Sequence, residues 1–451
     1  MEPVRPGPVA GQPGGRRGRA TAVADGPGTG PQPVEPPPYR PTWVLHLQPG
    51  SAILVERHSQ YYVRLSAEAT EIALLLARTA DLERSGRVLA AVGGPGDGGG
   101  APLGDRLAPN PFTAAWARGL LGDDLRVTGS SQAYIPLTCS LQLTNGCNLR
   151  CSFCYASSGR RYPEELTLPD WIRTMQVLAA SGVCSVTLTG GEPTIAEGFP
   201  RILAAAGAYF VNVDVFTNGL HWTDEARRVA GALGNVRCQV SIDGLPERHD
   251  RVRGRAGAYD SALTTVRELR EEGIAVSVAM TVTPENFGDV GPLVDEAAEA
   301  GAVMFRAGRV QGVGRGDAIG FSLDTTQEEA VTAALGDAAS RCPSIHVLRW
   351  DVCETDADRV AAAAGAPAEF MTPGYLHWHV RADGWVTPCQ IEDAPMGHIL
   401  RDSLTDIGHP DRIAEVAAQA RGCRCIRRVQ LPAGAGPPFV GAARTRAGRA
   451  R

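Results

Sequence analysis

A chain of 451 residues with 43% hydrophobic side chains is long enough for two or three domains and apolar enough to build folded cores. Its 44 basic residues are all arginine, against 49 acidic ones, for a formal net charge of -5. Without lysine there is no Schiff base, pyridoxal phosphate anchor or P-loop amine, and a mildly negative surface gives no general field for nucleic acid. There is no apolar run of roughly 18 residues to span a membrane. The Arg16-Arg17 pair is followed by glycine, proline and polar residues rather than the apolar segment of an export signal. The 11 cysteines, an odd number at short spacings, suit a reducing compartment and metal ligation better than a disulfide framework, so a cytoplasmic protein is expected.

Residues 1–41 are rich in Pro, Gly and Ala and read as a disordered leader. From 42 to 92 short β-like runs (Trp43-Val44-Leu45, Ala52-Ile53-Leu54-Val55, Tyr61-Tyr62-Val63-Arg64-Leu65) precede a helix capped by Ser66 and carrying Ile72, Leu75 and Leu76, then a second helix with Leu82, Val88 and Leu89. Residues 93–135 read as a linker, opened by Gly93-Gly94-Pro95-Gly96, and a connecting helix. Between 136 and 345 strands and helices alternate. Strands are predicted at Cys139–Thr144, Cys184–Thr189, Val211–Phe216, Val236–Ile242, Ala275–Val282 and Val303–Val310, with helices at Trp171–Ala180, Asp224–Leu233, Tyr259–Glu272 and Val290–Ala300. This βα repetition implies an α/β fold whose parallel sheet closes, or nearly closes, into a barrel. Residues 346–430 hold a hairpin, His377–Val380 and Ala382–Trp385, turned by Asp383-Gly384, and several cysteines; 431–451 is a basic, disordered tail.

The strongest chemical signal is Cys147-x3-Cys151-x2-Cys154. Electron-transfer clusters ordinarily take four protein thiolates, so three leave one iron open for a small molecule. A zinc knuckle and buried apolar thiols are the alternatives. A second pattern, Gly190-Gly191-Glu192-Pro193, lies at the end of the next strand, followed by Thr217-Asn218-Gly219 and Asp243-Gly244 at the ends of the third and fourth. Barrel enzymes concentrate their chemistry at such C-terminal strand ends.

The cysteine triplet and the GGEP turn resemble those of the radical S-adenosylmethionine (SAM) superfamily. The resemblance implies a partial (β/α)6 barrel, a 4Fe-4S cluster on Cys147, Cys151 and Cys154, and SAM chelating the open iron. It implies reductive cleavage of SAM to methionine and a 5'-deoxyadenosyl radical that takes hydrogen from substrate, with the electron from a donor such as flavodoxin or ferredoxin. Phe153 occupies the position of the family's aromatic residue beside adenine; Gly190, Gly191, Glu192 and Pro193 form the turn that contacts the SAM ammonium. Glu192 is either a catalytic carboxylate or a contact to backbone. Asn218, Ser241 and Asp243 offer groups for ribose hydroxyls or the methionine carboxylate, although polar strand ends also merely cap loops. Arg306, Arg309 and Arg315 are either bidentate carboxylate binders or surface charges.

Residues 42–92 resemble the small winged-helix-like recognition element of ribosomal-peptide maturation enzymes, in which a leader peptide adds as a strand to a sheet edge. A generic cap on the barrel is the other reading. The C-terminal cysteines resemble a SPASM or twitch extension with an auxiliary iron-sulfur cluster on Cys389, Cys423 and Cys425, completed by Cys353 or Cys342. The pattern departs from the full extension because the cysteine usually near Gly374 is missing. A zinc site would use the same ligand types. The function so implied is hydrogen abstraction from a precursor peptide to install a crosslink, an epimerisation or a similar modification. The other readings are a radical SAM enzyme for a small metabolite or cofactor precursor, and a nonenzymatic iron-sulfur or zinc scaffold.

Overall fold

The computed structural model describes residues 43–56, 61–65, 67–79, 125–318, 322–348, 374–419 and 439–440. The leader, the Ser66 cap, the second N-terminal helix, Cys353, Cys423 and Cys425 lie outside these residues.

Strands β1 (Trp43–Gln48) and β2 (Ser51–Glu56) form an antiparallel hairpin in which Gln48 faces Ser51. The turn is Pro49-Gly50: proline presets its first corner and Gly50 supplies φ +66° at the second. β3 (Tyr61–Leu65) pairs with β2, and α1 (Ala67–Thr79) covers one face of the sheet, Ile72 and Ala73 packing on Leu45, Leu54 and Leu65. The other face is apolar as well. Val44, Ile53 and Val55 meet Leu137 and Leu376 at the foot of the barrel, so the sheet is sandwiched between its helix and the larger domain. His46, on the same face as Val44, is fully buried: its Nε2 donates to the carbonyl of Ile135 at 2.8 Å and its Nδ1 lies 3.0 Å from the Thr128 hydroxyl. Burial pulls its pKa down to about 4.

One sequence expectation changes here. Residues 125–129, read as part of a linker and connecting helix, are a strand, β4 (Leu125–Gly129), lying parallel to β1. At the opposite edge the two-residue strand Phe439–Val440 pairs antiparallel with β3.

The larger sheet holds the expected barrel strands, β5 (Thr138–Gln142), β6 (Ser185–Thr189), β7 (Asn212–Thr217), β8 (Val236–Ser241), β9 (Ala275–Val282) and β10 (Met304–Arg309), in sequential parallel order. Helices α2 (Leu168–Ala180), α3 (Phe199–Tyr209), α4 (Asp224–Leu233), α5 (Pro246–Arg253), α6 (Ala258–Glu271) and α7 (Val290–Glu299) connect them, and α8 (Thr325–Arg341) leads to a short parallel strand, β11 (His346–Leu348), beside β10. At the other side β12 (His377–Val380) lies parallel to β5 and turns through Gly384 into β13 (Trp385–Thr387), which pairs with β14 (Gly397–His398). β11 and β14 end the order and do not pair with each other, so the barrel is open.

Burial along β7 to β10 alternates strictly. The buried members, among them Val213, Val215, Val240, Val278 and Phe305, pack under the helices. The residues between them are half-buried and largely polar: Asp214, Arg237, Gln239, Ser277 and Thr281. Asp214 and Arg237 pair bidentately on this inner face at 2.8 Å per contact.

Candidate functional site

The loop after β5 carries the cysteine triplet, and three elements fix its course. Glu165 receives the Thr144 hydroxyl at 2.8 Å and the Asn145 amide at 2.7 Å, holding the start of the loop. The end of α5 receives Arg150 N on Arg253 O (3.3 Å) and Ser152 N on Val252 O (3.1 Å). Arg315, beyond β10, donates to the carbonyls of Cys151 (2.7 Å) and Ser158 (2.9 Å), while its own amide donates to Cys154 O at 3.0 Å.

The glycine turn after β6 is laced to the same loop: Gly191 N donates to Thr144 O at 2.7 Å and Glu192 N to Gly146 O at 2.9 Å. A Cβ on Gly191 would sit 2.2 Å from Gly146 O, and one on Gly190 2.7 Å from Thr144 O. Only glycine permits this approach of two backbones.

Glu192, 1% exposed, is saturated from within. Its Oε1 receives Thr194 N (3.2 Å) and the hydroxyls of Thr194 and Thr217 (2.7 Å each); its Oε2 receives Asn218 N at 2.7 Å. Of the two roles left open by sequence, this geometry is that of a structural contact: the carboxylate ties the end of β6 to the end of β7. Asn218 is committed too, its amide donating to Asn148 Oδ1 at 2.7 Å and facing the Cys147 sulfur at 4.0 Å. Asp243, fully buried, pairs with Arg253 and accepts Thr281 N at 2.8 Å, so each of its oxygens has a partner within the fold. Ser241 stands half-buried at the end of β8. Phe153 packs with Leu149 and Cys151 against Leu220, Val252 and Val310.

The arginines after β9 divide. Arg315 braces the cysteine loop through carbonyls rather than binding a carboxylate, and Arg309 pairs with Glu328 at 2.9 Å on the surface. Arg306 points to the half-buried inner face of β10. Glu165 and Arg253 were missed by sequence reasoning. Arg253 left one trace: with His249 it forms an i, i+4 pair on a short polar helix, and both are buried.

The donor set fits a cluster. Burial pushes the Cys147 thiol up to about 11, with smaller contributions from Leu149 N, which lowers it, and from Glu192, Cys151 and Cys154, which raise it. Burial also raises Cys151, against the Arg253 guanidinium. Such thiols become thiolates only on binding a strongly held cation. Among the described residues no three His, Cys, Asp or Glu converge on the volume of a single metal ion. The three sulfurs are nevertheless close enough to perturb one another. Three thiols on one loop suit a cuboidal cluster, in which each thiolate takes a different iron.

Of Cys353, Cys389, Cys423 and Cys425 only Cys389 is among the described residues; its sulfur receives the amides of Ile391 and Glu392 at 3.4 Å each, a small nest for a negative sulfur. Tyr155, next to Cys154, donates to Gln390 at 3.3 Å and brings this segment to the barrel mouth. Cys342 instead donates to Asp295 on α7 at 3.1 Å, in the outer helical layer. Cys139, 1% exposed, faces that layer as a core residue.

The model of the radical SAM superfamily matches residues 141–297. The chain is 43% identical over 392 residues to the sporulation killing factor maturation protein SkfB of Bacillus subtilis, an alignment covering 87% of this chain and 93% of that one. It is 32% identical over 198 residues to the mycofactocin maturase MftC of Mycobacterium tuberculosis, covering 44% and 50% of the two chains. Among solved structures, Streptococcus suis SuiB bound to S-adenosylmethionine superposes with a TM-score of 0.61 at 15% identity over 82% of this chain and 87% of that one, and SuiB bound to precursor peptide SuiA with 0.59 over 86% and 93%, a likeness of fold. With 93% of SkfB covered, a triplet of cysteines at the barrel mouth and a glycine turn laced to it, the chain belongs to the radical SAM superfamily and is an enzyme working with a 4Fe-4S cluster and SAM.

Proposed function

We propose that this enzyme modifies a ribosomally made precursor peptide, abstracting hydrogen from it at the barrel mouth to install a crosslink, epimerisation or similar change. The observation that carries this reading is the near full-length relatedness to a maturation protein, SkfB. Cys147, Cys151 and Cys154 hold the cluster, the Gly190–Pro193 turn takes the amino end of SAM, and Phe153 lies toward its adenine. When bound, the cluster and SAM supply a carbon-centred radical; the chain orients substrate against it and keeps water and other hydrogen donors out. Asn218 and Asp243 serve indirectly, by fixing the loops, and Ser241 remains available at its strand end.

The N-terminal sheet is the peptide-recognition unit. In support, its β3 edge already accepts an added strand, Phe439–Val440, from within the chain, the mode by which an extended leader would dock. The unit comprises residues 42–92 together with β4, and the catalytic barrel runs from 136 to 345. An auxiliary cluster in 346–430 takes Cys389 with Cys353, Cys423 and Cys425. A flavodoxin or ferredoxin supplies the electron, and the setting is the cytoplasm, where 11 cysteines stay reduced.

The test is anaerobic incubation of reduced, reconstituted enzyme with SAM and a short peptide encoded beside its gene. Formation of 5'-deoxyadenosine with a mass change in the peptide is expected; 5'-deoxyadenosine with the peptide untouched would refute the peptide assignment. Deleting residues 1–100 should weaken peptide binding and spare SAM cleavage.

A further inference from the structure

Arg253 is the last residue of α5 and, among the described residues, one of the most enclosed cations, with 9% of its side chain exposed. Its Nε and Nη2 clasp one oxygen of Asp243, whose side chain is fully buried. The third nitrogen, Nη1, turns to the Cys151 sulfur at 3.7 Å. Asp243 is itself immobile: its other oxygen accepts Thr281 N at 2.8 Å, its carbonyl accepts Asn286 Nδ2 at 3.0 Å, and its amide donates to His249 Nδ1 at 2.9 Å. A guanidinium held this way cannot swing to solvent. Burying a charge pair at such expense needs a reason beyond stability, because a buried ion pair is weak evidence for stabilisation.

We propose that Arg253, clamped by Asp243, is a positioning residue that hydrogen-bonds the cluster-ligating sulfur of Cys151 and raises the reduction potential of the cluster. The inference rests on Cys151 being a cluster ligand. In the couple concerned the oxidised cluster gains one electron from a low-potential one-electron donor; no proton moves and no bond to protein breaks. The reduced cluster is one charge more negative, so a fixed cation and a charge-assisted N–H···S contact favour it over the oxidised form. The arginine thereby makes the cluster easier to charge before SAM is cleaved.

The experiment is an EPR-monitored redox titration of the anaerobically reconstituted full chain, with titanium(III) citrate as reductant, comparing wild type, Arg253→Lys, Arg253→Gln and the double variant Arg253→Met/Asp243→Asn, which leaves no lone buried charge. At the wild-type midpoint the ratio of reduced to oxidised cluster should fall about tenfold in Arg253→Gln and in the double variant, a midpoint about 59 mV lower, while Arg253→Lys recovers part of the shift. Unchanged midpoints with iron content intact would overturn the proposal, as would loss of iron from all three variants, which would make Arg253 a purely structural brace. Cys151→Ala separates the two layers: if it retains the SAM-responsive cluster, the ligand assignment itself fails, whatever Arg253 does.

Discussion

Replacing Glu192 by glutamine distinguishes a carboxylate that builds the site from one that takes part in chemistry. Each carboxylate oxygen faces a backbone amide that cannot turn away, Thr194 N on Oε1 at 3.2 Å and Asn218 N on Oε2 at 2.7 Å. Whichever way the new amide is placed, its NH2 group confronts one of them. The hydroxyls of Thr194 and Thr217 can rotate to accept, but a backbone donor cannot. One buried donor left unsatisfied costs about 1–3 kcal/mol, and the surviving contacts fall from charge-assisted to neutral strength. Removing a buried charge returns part of this, because desolvation already pushes the Glu192 pKa upward against its hydrogen bonds. A net loss of about 2 kcal/mol is therefore expected in urea denaturation of the metal-free protein. Because Asn218 N is released from Glu192, the contact of Asn218 with Asn148 and the Cys147 sulfur should slacken, and SAM should bind reconstituted enzyme roughly tenfold more weakly, about 1.4 kcal/mol. Cleavage per SAM bound should stay near wild type. A Glu192→Gln protein as stable as wild type, or more stable, that binds SAM normally and fails to cleave it would refute the reasoning, since a carboxylate kept for catalysis is one the fold does not need.

Three further outcomes follow from individual residues. His46 is neutral when folded, its pKa lowered from 6.5 to about 4 by burial, so the unfolded chain gains a proton first on acidification: its contribution is whole above pH 6.5 and is lost as pH falls toward 4, about 3 kcal/mol in all. His46→Gln should flatten the fall in urea midpoint between pH 7.5 and pH 5; an identical slope in both proteins would dismiss it. Gly191→Ala forces a Cβ to 2.2 Å from Gly146 O, and should destabilise the metal-free protein by about 1–3 kcal/mol and abolish the effect of SAM on the cluster's EPR spectrum, whereas Gly288→Ala, with nothing within 4 Å, should do neither. Cys139→Ala should leave the iron content per chain unchanged, because Cys139 lies in the helix-facing core; a drop in iron would make it a ligand.

The barrel strands were legible because buried apolar residues recur along each of them, and the ends of β5 to β10 fall within two residues of the sequence boundaries. β4 was not legible. Leu125-Arg126-Val127-Thr128-Gly129 leaves Arg126 and Val127 exposed, and it becomes a strand only by pairing with β1, some eighty residues earlier in the chain. α3 was not named from sequence although Phe199, Ile202, Leu203 and Ala206 mark a helical period; the small Gly207 beyond them lets Leu233 of α4 approach. In the site, the cysteines and the glycine turn were readable because their spacing is local. The roles of Glu165, Arg253 and Arg315 depend on contacts between separate elements, and no spacing encodes them.

The alternation along β7 to β10 carries a further meaning. A parallel sheet covered on both faces should be apolar on both, and here only the helix-facing set is. Val213, Val215, Val240 and Val278 are buried completely, while Asp214, Gln239, Ser241 and Ser277 between them remain half-buried and polar. Apart from the Asp214–Arg237 pair and the Ser277 hydroxyl on the Cys238 carbonyl, such polar side chains are poorly served by a dry core. They need water, or a ligand as rich in hydrogen-bonding groups as water. A peptide brings a donor and an acceptor with nearly every residue, and the sheet is left unclosed between β11 and β14. The same period-2 pattern that marks the strands thus also argues that the barrel is built around a polar substrate and not around its own side chains.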